Sequence, residues 1–179
     1  MFKYIFQIFT ILIILTTSLK SKEFNDILIK GNQRISNETI ILFSDLPSDQ
    51  FLDEKSLNIV LKKLYQSGFF KDVFIKIENK NLIIDVIENP IIQTVFIEGI
   101  KRKKTEEDLY EILSLKNRSS FNLNIVKVDE DNILNHLKEN GFYFSKVISS
   151  FESLGDNKIN LFYKIDLGQK AKITKISFI

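Results

Sequence analysis

The sequence predicts an α+β protein built from a tandem repeat, in which each copy has the order strand, helix, helix, strand, strand. The first observation is that Leu61–Phe70 (LKKLYQSGFF) returns as Leu134–Tyr143 (LNHLKENGFY). The second is that Ile27–Gly31 (ILIKG) is echoed by Val95–Gly99 (VFIEG). The third is that alternating apolar residues follow each copy of the longer phrase. A repeat with a period of about 70 residues indicates two copies of one small domain.

The two helices of the first copy are indicated by a capping residue and by periodicity. Ser36 can act as the N-cap of a short helix, which must stop before Pro47. The second helix carries one apolar stripe with intervals of three and four residues, formed by Leu57, Val60, Leu61, Leu64 and Tyr65. Gly68 stands where a helix commonly ends in a left-handed conformation, so the chain should turn back there.

Three strands complete the first copy. Residues 27–31, 73–78 and 82–87 are the segments in which apolar residues alternate, and short turns bound them. A helix pair separates the first strand from the second, whereas a tight turn joins the last two. We therefore expect a three-stranded mixed sheet that is covered on one face by both helices.

The second copy repeats this order. Residues 91–99 form its first strand, and Thr105–Asp108 (TEED) has the pattern of a capping box that opens the next helix. A long helix then ends at Gly141, the counterpart of Gly68. Residues 144–152 and 158–166 are predicted to form the closing hairpin.

The first 21 residues differ from the rest of the chain. An almost wholly apolar run lies between Lys3 and Lys20, and small polar residues follow it. This pattern predicts a signal peptide over residues 1–21 and hence export, with an uncleaved membrane anchor as the alternative. Without this segment the basic and acidic residues are equal in number, so the bulk charge gives no indication of a nucleic-acid surface.

The chain offers few residues for catalysis. The absence of cysteine excludes disulfides and thiolate metal sites, and the only histidine, His136, is expected at the surface. A Ser-His-Asp site has little to build from, and Asp129, Glu130 and Asp131 are interpreted as a solvated helix face. We therefore predict no enzyme, no catalytic or metal-binding residue and no cofactor.

The edges of the predicted sheets are the candidate binding sites, because an edge presents N–H and C=O groups that an extended segment can pair with. Residues 82–87 suit the central place, so the edge hypothesis falls on residues 73–78 and 147–152. The candidate partner-binding residues are Val73, Phe74, Ile75, Lys76 and Ile77 in the first copy and Val147, Ile148, Ser149, Ser150 and Phe151 in the second. Alternatively, these edges bind nothing, and the outer face is covered by the neighbouring repeat.

Three segments carry a resemblance to a known family: Leu64–Val73 (LYQSGFFKDV), Val86–Pro90 (VIENP) and Gly141–Val147 (GFYFSKV). In this order they resemble the POTRA domains of the BamA family of outer-membrane protein assembly factors, over residues 24–179. The resemblance implies one POTRA domain at 22–90, a second at 91–168, and the first strand of a truncated third at 169–179. The chain is accordingly expected to be a fragment.

The resemblance also implies a function. POTRA domains of this family are periplasmic parts of a Gram-negative-type outer-membrane protein, N-terminal to a transmembrane β-barrel that this sequence lacks. They receive unfolded outer-membrane β-barrel proteins and scaffold accessory lipoproteins. Glu88 and Pro90 would form the joint between domains, since proline fixes its backbone angle. The alternatives are a two-partner-type secretion transporter and a membrane-anchored POTRA cell-division protein.

Overall fold

The computed structural model describes residues 22–47 and 51–170. The predicted signal peptide (1–21) and residues 171–179 of the predicted third copy lie outside the described residues. The chain divides into two compact units. Of the described residues, the first unit holds those up to Gln66 together with Val73–Val86, and the second holds Ser67–Asp72 together with those from Ile87 onward.

The first three-stranded sheet has the order β2-β5-β4, so the second strand of the hairpin is central. The elements up to the end of this sheet are β1 (Lys22–Glu23), β2 (Asp26–Lys30), α1 (Asn37–Ser44), β3 (Phe51–Leu52), α2 (Glu54–Gln66), β4 (Phe70–Glu78) and β5 (Asn81–Glu88). Strand β2 pairs with β5 in parallel, with Ile27 opposite Leu82 and Ile29 opposite Ile84. The sequence did not predict the short antiparallel pair of β1 with β3.

Both predicted helices of the first copy are present. The Ser36 hydroxyl caps α1 by accepting a hydrogen bond from the Thr39 amide at 3.3 Å, and Asp45 ends the helix in the left-handed region. Of the predicted stripe on α2, Val60 and Leu64 are buried, whereas Tyr65 is exposed. The core of this unit includes buried residues from the helices and from β3 and β5: Ile40, Leu52, Val60, Leu64, Leu82, Ile84 and Val86.

The second unit repeats the arrangement. Its elements are β6 (Ile91–Glu98), α3 (Lys103–Ile112), α4 (Leu123–Glu139), β7 (Lys146–Gly155) and β8 (Lys158–Asp166). Strand β8 is central, parallel to β6 and antiparallel to β7. Its core joins the sheet to both helices and includes Ile92, Leu109, Ile133, Leu137, Leu161 and Tyr163. The predicted fold class, with two three-stranded mixed sheets and two helices for each, is confirmed.

Two predicted boundaries in the second copy are wrong. Helix α3 begins at Lys103 with Arg102 at its N-cap, and Arg102 makes no side-chain capping bond. Thr105 therefore lies inside the first turn and cannot be the cap of the predicted box. Strand β7 begins at Lys146 rather than at residue 144, because the Ser145 hydroxyl donates to the Phe142 carbonyl at 2.9 Å and closes a turn first.

The echoed glycines Gly31 and Gly99 follow the parallel edge strands β2 and β6. Their φ angles are +80° and +90°, a region that side-chain-bearing residues rarely adopt. A Cβ atom at Gly31 would clash with the Val86 carbonyl oxygen, and one at Gly99 with the Ile165 carbonyl oxygen. The shorter repeated phrase therefore ends in glycine because the central strand passes too close for any side chain.

Candidate binding edges of the sheets

Strand β4 lies at one edge of the first sheet, where the candidate residues Val73–Ile77 are found. Val73 is 4% exposed, whereas Phe74 is 61% exposed on the side away from the helices. The turn at Asn79 and Lys80 has positive φ at both residues, which is typical of a two-residue antiparallel hairpin. The structure thus places one side of β4 against β5 and leaves the other side at the edge.

One hydrogen bond shows which amides of β4 point outward. The Val73 N–H donates to the Tyr65 hydroxyl of α2 at 3.2 Å. In an antiparallel pair the outward and inward amides alternate, so those of Ile75 and Ile77 point the same way as that of Val73. The part of this edge beyond Val73 therefore offers main-chain groups at regular intervals.

A groove of about 410 Å³ runs between α2 and β4. The helix contributes Glu54, Leu57, Asn58 and Leu61, and the strand contributes Val73–Ile75. The groove is open and partly apolar, and it lies beside the outward amides. An extended segment added at β4 could place apolar side chains against Leu57 and Leu61 while its main chain pairs with the strand.

Strand β7 lies at the corresponding edge of the second sheet, where the candidate residues Val147–Phe151 are found. Here a carboxylate from the helix reaches the edge. The Ser149 N–H donates to Oε1 of Glu130 at 3.0 Å, and the Ser149 hydroxyl donates to the same oxygen at 2.5 Å. The amide of Ser149 therefore points away from β8, and by alternation so do those of Val147 and Phe151.

Glu130 is held as a charged group at this edge. Its other oxygen accepts a hydrogen bond from Nζ of Lys127 at 3.0 Å, and its side chain is only 14% exposed. Burial acts to raise the pKa of Glu130, but the hydrogen bonds from Ser149 and Lys127 outweigh burial and hold this pKa below its usual value. The Glu130 carboxylate therefore remains an acceptor for the Ser149 amide at neutral pH.

The two faces of the second sheet differ. On the helix side, the ring of Phe151 contacts that of Phe121 with centroids 5.0 Å apart. On the open side, Phe96 and Phe162 stack at 4.9 Å, and Ile148 is 66% exposed. Alternate candidate residues of β7 therefore belong to different surfaces, with Ser149 and Phe151 facing the helices and Ile148 facing outward.

A buried carboxylate lies behind this edge, at Asp129. Its side chain accepts hydrogen bonds from the amides of Ser114 at 2.7 Å and Leu115 at 2.9 Å, and from the Tyr163 hydroxyl at 3.1 Å. Burial and the neighbouring Asp129 charge raise the pKa of Tyr163 above its usual value, which keeps this hydroxyl a donor.

The prediction of a solvated acidic face is thus wrong for Asp129, which is fully buried, and for Glu130, which is bonded to β7; only Asp131 is exposed. The sequence contained a signal for Asp129, because it lies on the buried stripe of α4 with Val126, Ile133 and Leu137. The two acidic residues that follow Asp129 instead favoured the interpretation as a solvated face.

Gly68 and Gly141, the predicted helix-end turns, follow the long helices α2 and α4. Gly68 and Gly141 have φ angles of +74° and +87°, so both helices end in left-handed turns. Within the second unit, the Asn89 side chain donates to the Gly68 carbonyl at 2.9 Å, and the Phe121 amide donates to the Pro90 carbonyl at 2.8 Å. Glu88 is 5% exposed. The role of Glu88 and Pro90 as a joint stays a prediction.

Residues 22–47 and 51–170 contain no group of three or more His, Cys, Asp or Glu side chains that could hold a metal ion. His136 is half-buried beside a cavity of about 570 Å³ that Arg102 and Asp166 also line. Over the same described residues, no helix has both the length and the apolar character needed to cross a bilayer.

Comparison with known proteins identifies the repeated unit. Residues 90–168 match the family model of POTRA, the surface antigen variable number repeat. This match covers most of the second unit. Over 161 residues the chain is 28% identical to the outer membrane protein assembly factor BamA of Neisseria meningitidis serogroup B (strain ATCC BAA-335 / MC58), a match that covers 86% of this chain and 19% of that protein.

Two solved structures share the fold at low sequence identity. One is the N-terminal domain of Omp85 from Thermosynechococcus elongatus, with a TM-score of 0.58 and 15% identity, covering 83% of this chain and 63% of that one. The other is POTRA1-3 of the periplasmic domain of Omp85 from Anabaena, with a TM-score of 0.54 and 12% identity, covering 82% and 62%. The predicted resemblance to the POTRA region of BamA-type proteins is therefore confirmed, and the chain spans about a fifth of the curated relative.

Proposed function

We propose that this chain is the periplasmic POTRA region of an outer-membrane protein assembly factor, and not an enzyme. In this role it receives unfolded β-barrel precursors and scaffolds accessory lipoproteins, next to a membrane-embedded barrel in the remainder of the protein. The match to the meningococcal assembly factor over 86% of the chain supports the proposal. The signal peptide predicted over residues 1–21 and the domain limits 22–90, 91–168 and 169–179 belong to the same proposal.

The mechanism that we propose is strand addition at β4. The observation that carries it is the groove between α2 and β4, which lies beside the outward-pointing amides of Ile75 and Ile77. An added strand would receive main-chain hydrogen bonds from the edge and would bury alternate side chains against Leu57 and Leu61. Main-chain pairing demands little of the client sequence, which suits a receiver of many different barrel precursors.

Proline at Ile75 tests this mechanism. Because the Ile75 amide points outward, Ile75→Pro removes an edge donor without removing a bond to β5. We expect the affinity for a synthetic barrel-strand peptide with alternating apolar and polar residues to fall at least about tenfold, since net hydrogen-bond energies of about 1.4 kcal/mol correspond to that factor. Titration of the 15N-labelled chain with the peptide, followed by amide chemical shifts, measures the loss and locates it on β4.

Two controls separate main-chain pairing from other effects. Ile75→Ala keeps the amide and should bind the peptide more tightly than Ile75→Pro does. A peptide that is N-methylated at alternate residues, on the side that would pair with β4, should bind no better to the parent chain than to Ile75→Pro. If Ile75→Pro retains the parent affinity while its circular dichroism is unchanged, strand addition at β4 is excluded.

A further inference from the structure

The repeated phrase aligns the two long helices residue by residue. With Leu61 opposite Leu134 and Gly68 opposite Gly141, Leu57 of α2 corresponds to Glu130 of α4. Leu57 lines the open groove beside β4. Glu130 instead holds the Ser149 amide and hydroxyl of β7. The same helical position therefore faces the edge strand in both units, with opposite chemistry.

The bond that Glu130 accepts from the Ser149 amide lies in the middle of the edge along which an added strand would pair. Ser149 stands between Val147 and Phe151, whose amides also point outward, so its amide is the middle one of three. An incoming strand at β7 would have to take this donor from the carboxylate. Glu130, with a side chain that is 14% exposed, would then lose the amide donor and keep only its bonds from the Ser149 hydroxyl and from Lys127. Leaving a charged and largely buried acceptor short of donors opposes strand addition.

The neutral Tyr65 hydroxyl that bonds to β4 differs from the Glu130 carboxylate in both the place and the strength of its bond. Tyr65 accepts from the Val73 amide at 3.2 Å, and it is itself 41% exposed, so water can replace the lost bond. Val73 lies toward the start of β4, and the outward amides of Ile75 and Ile77 follow it. The Glu130 carboxylate accepts two bonds from one residue in the middle of the edge, and bonds to a charged group are the stronger ones.

We propose that Glu130 is a specificity-determining residue, which seals the edge of β7 against strand addition and so directs extended barrel segments to β4. The residue at this helical position decides whether the edge accepts a strand: leucine leaves it open, and glutamate closes it. The inference rests on the proposed function, because it assumes that β4 receives strands. If the inference holds, β7 can bind a strand only after the Ser149 amide is released from Glu130.

Exchange of the two side chains tests the inference. The probe is the same alternating barrel-strand peptide, and the readout is amide chemical shifts of 15N-labelled chains, resolved for β4 and β7. In the parent chain we expect shifts on β4 alone. In Glu130→Leu we expect new shifts on Val147, Ser149 and Phe151, with a second peptide bound. In Leu57→Glu we expect the affinity at β4 to fall at least about tenfold.

The matched control is Asp131→Leu, which removes a negative charge from the next residue of the same helix, where the side chain is exposed. It should leave β7 closed. Glu130→Ala serves as a second opening variant if Glu130→Leu does not fold, as judged by circular dichroism. Parent binding at β4 with no peptide on β7 in either Glu130 variant overturns the seal but leaves the proposed function standing.

The remaining outcomes bear separately on the seal at β7 and on the proposed strand addition at β4. Peptide on β7 of the parent chain overturns the seal. Peptide on β7 of the Glu130 variants without any binding at β4 supports the seal and overturns the proposed route through β4. Absence of binding to every chain overturns both.

Discussion

The two units share one architecture but differ at their exposed edges. In the first unit, Leu57 lines an open groove of about 410 Å³ beside β4. In the second, Glu130 occupies the equivalent helical position and bonds to the middle of β7. A second difference lies one residue earlier, where Ser56 of the first unit corresponds to the buried Asp129. The fold therefore fixes which helical positions face the edge, and the side chains at those positions fix what the edge can do.

The largest expected effect concerns what the units share, the glycine after the parallel edge strand. Gly99→Ala forces a side chain to φ +90° and against the Ile165 carbonyl. The two costs together should lower the free energy of unfolding by about 4 kcal/mol. Amide hydrogen exchange followed by mass spectrometry should show the loss of protection in peptides from β8, and Gly31→Ala should do the same for β5.

Gly155→Ala is the matched control, because Gly155 has φ +81° but no atom within 4 Å of the position that a Cβ would occupy. It should cost only the backbone strain, about 1 kcal/mol. Equal losses for Gly99→Ala and Gly155→Ala would show that close approach of the central strand is not what requires the repeated glycine.

The next effect concerns the buried carboxylate of Asp129, whose counterpart in the first unit is Ser56. Asp129→Asn replaces one carboxylate oxygen by an NH2 group, which then faces a donor from Ser114, Leu115 or Tyr163. A buried donor without an acceptor should cost about 2 kcal/mol of stability, measured by urea unfolding. Asp131→Asn, the same change at an exposed neighbour, should stay within about 0.5 kcal/mol of the parent. Similar losses for the two variants would contradict a structural role for the buried network.

The fold could be predicted because its signals are local or repeated. The stripe on α2, the cap at Ser36 and the glycines at the ends of strands and helices each report on a neighbour in sequence or on backbone conformation. The start of α3 could not be read in this way. Thr105 matches a capping box, but the helix begins at Lys103 without any side-chain cap, so no sequence pattern marks the true boundary.

The candidate site could be predicted only in outline. The central place of residues 82–87 follows from their apolar residues on both faces, and that put β4 at an edge. The seal could not be read from the sequence, because Glu130 and Ser149 are 19 residues apart and meet only through the packing of α4 on β7. The burial of Asp129 could have been predicted, because this residue lies on the buried stripe of α4, where its charge requires a hydrogen-bonding partner.

The smallest effect tests the seal through its charge. The pKa of Glu130 is lower in the folded chain than its ordinary value, so the carboxylate stabilises the fold above the unfolded-state pKa of about 4.3. This stabilisation is lost as the pH falls through the depressed folded-state pKa.

Glu130→Gln, which cannot carry the charge, should be less stable than the parent by about 1 kcal/mol at pH 7. The difference should shrink at pH 3 in urea unfolding followed by circular dichroism. Glu139→Gln, the same change at an exposed position of the same helix, should stay within about 0.5 kcal/mol of the parent at pH 7. If Glu130→Gln is less stable than the parent by the same amount at both pH values, the shape of the side chain, and not its charge, holds Ser149. The difference between Glu130 and Leu57 would then be one of size alone.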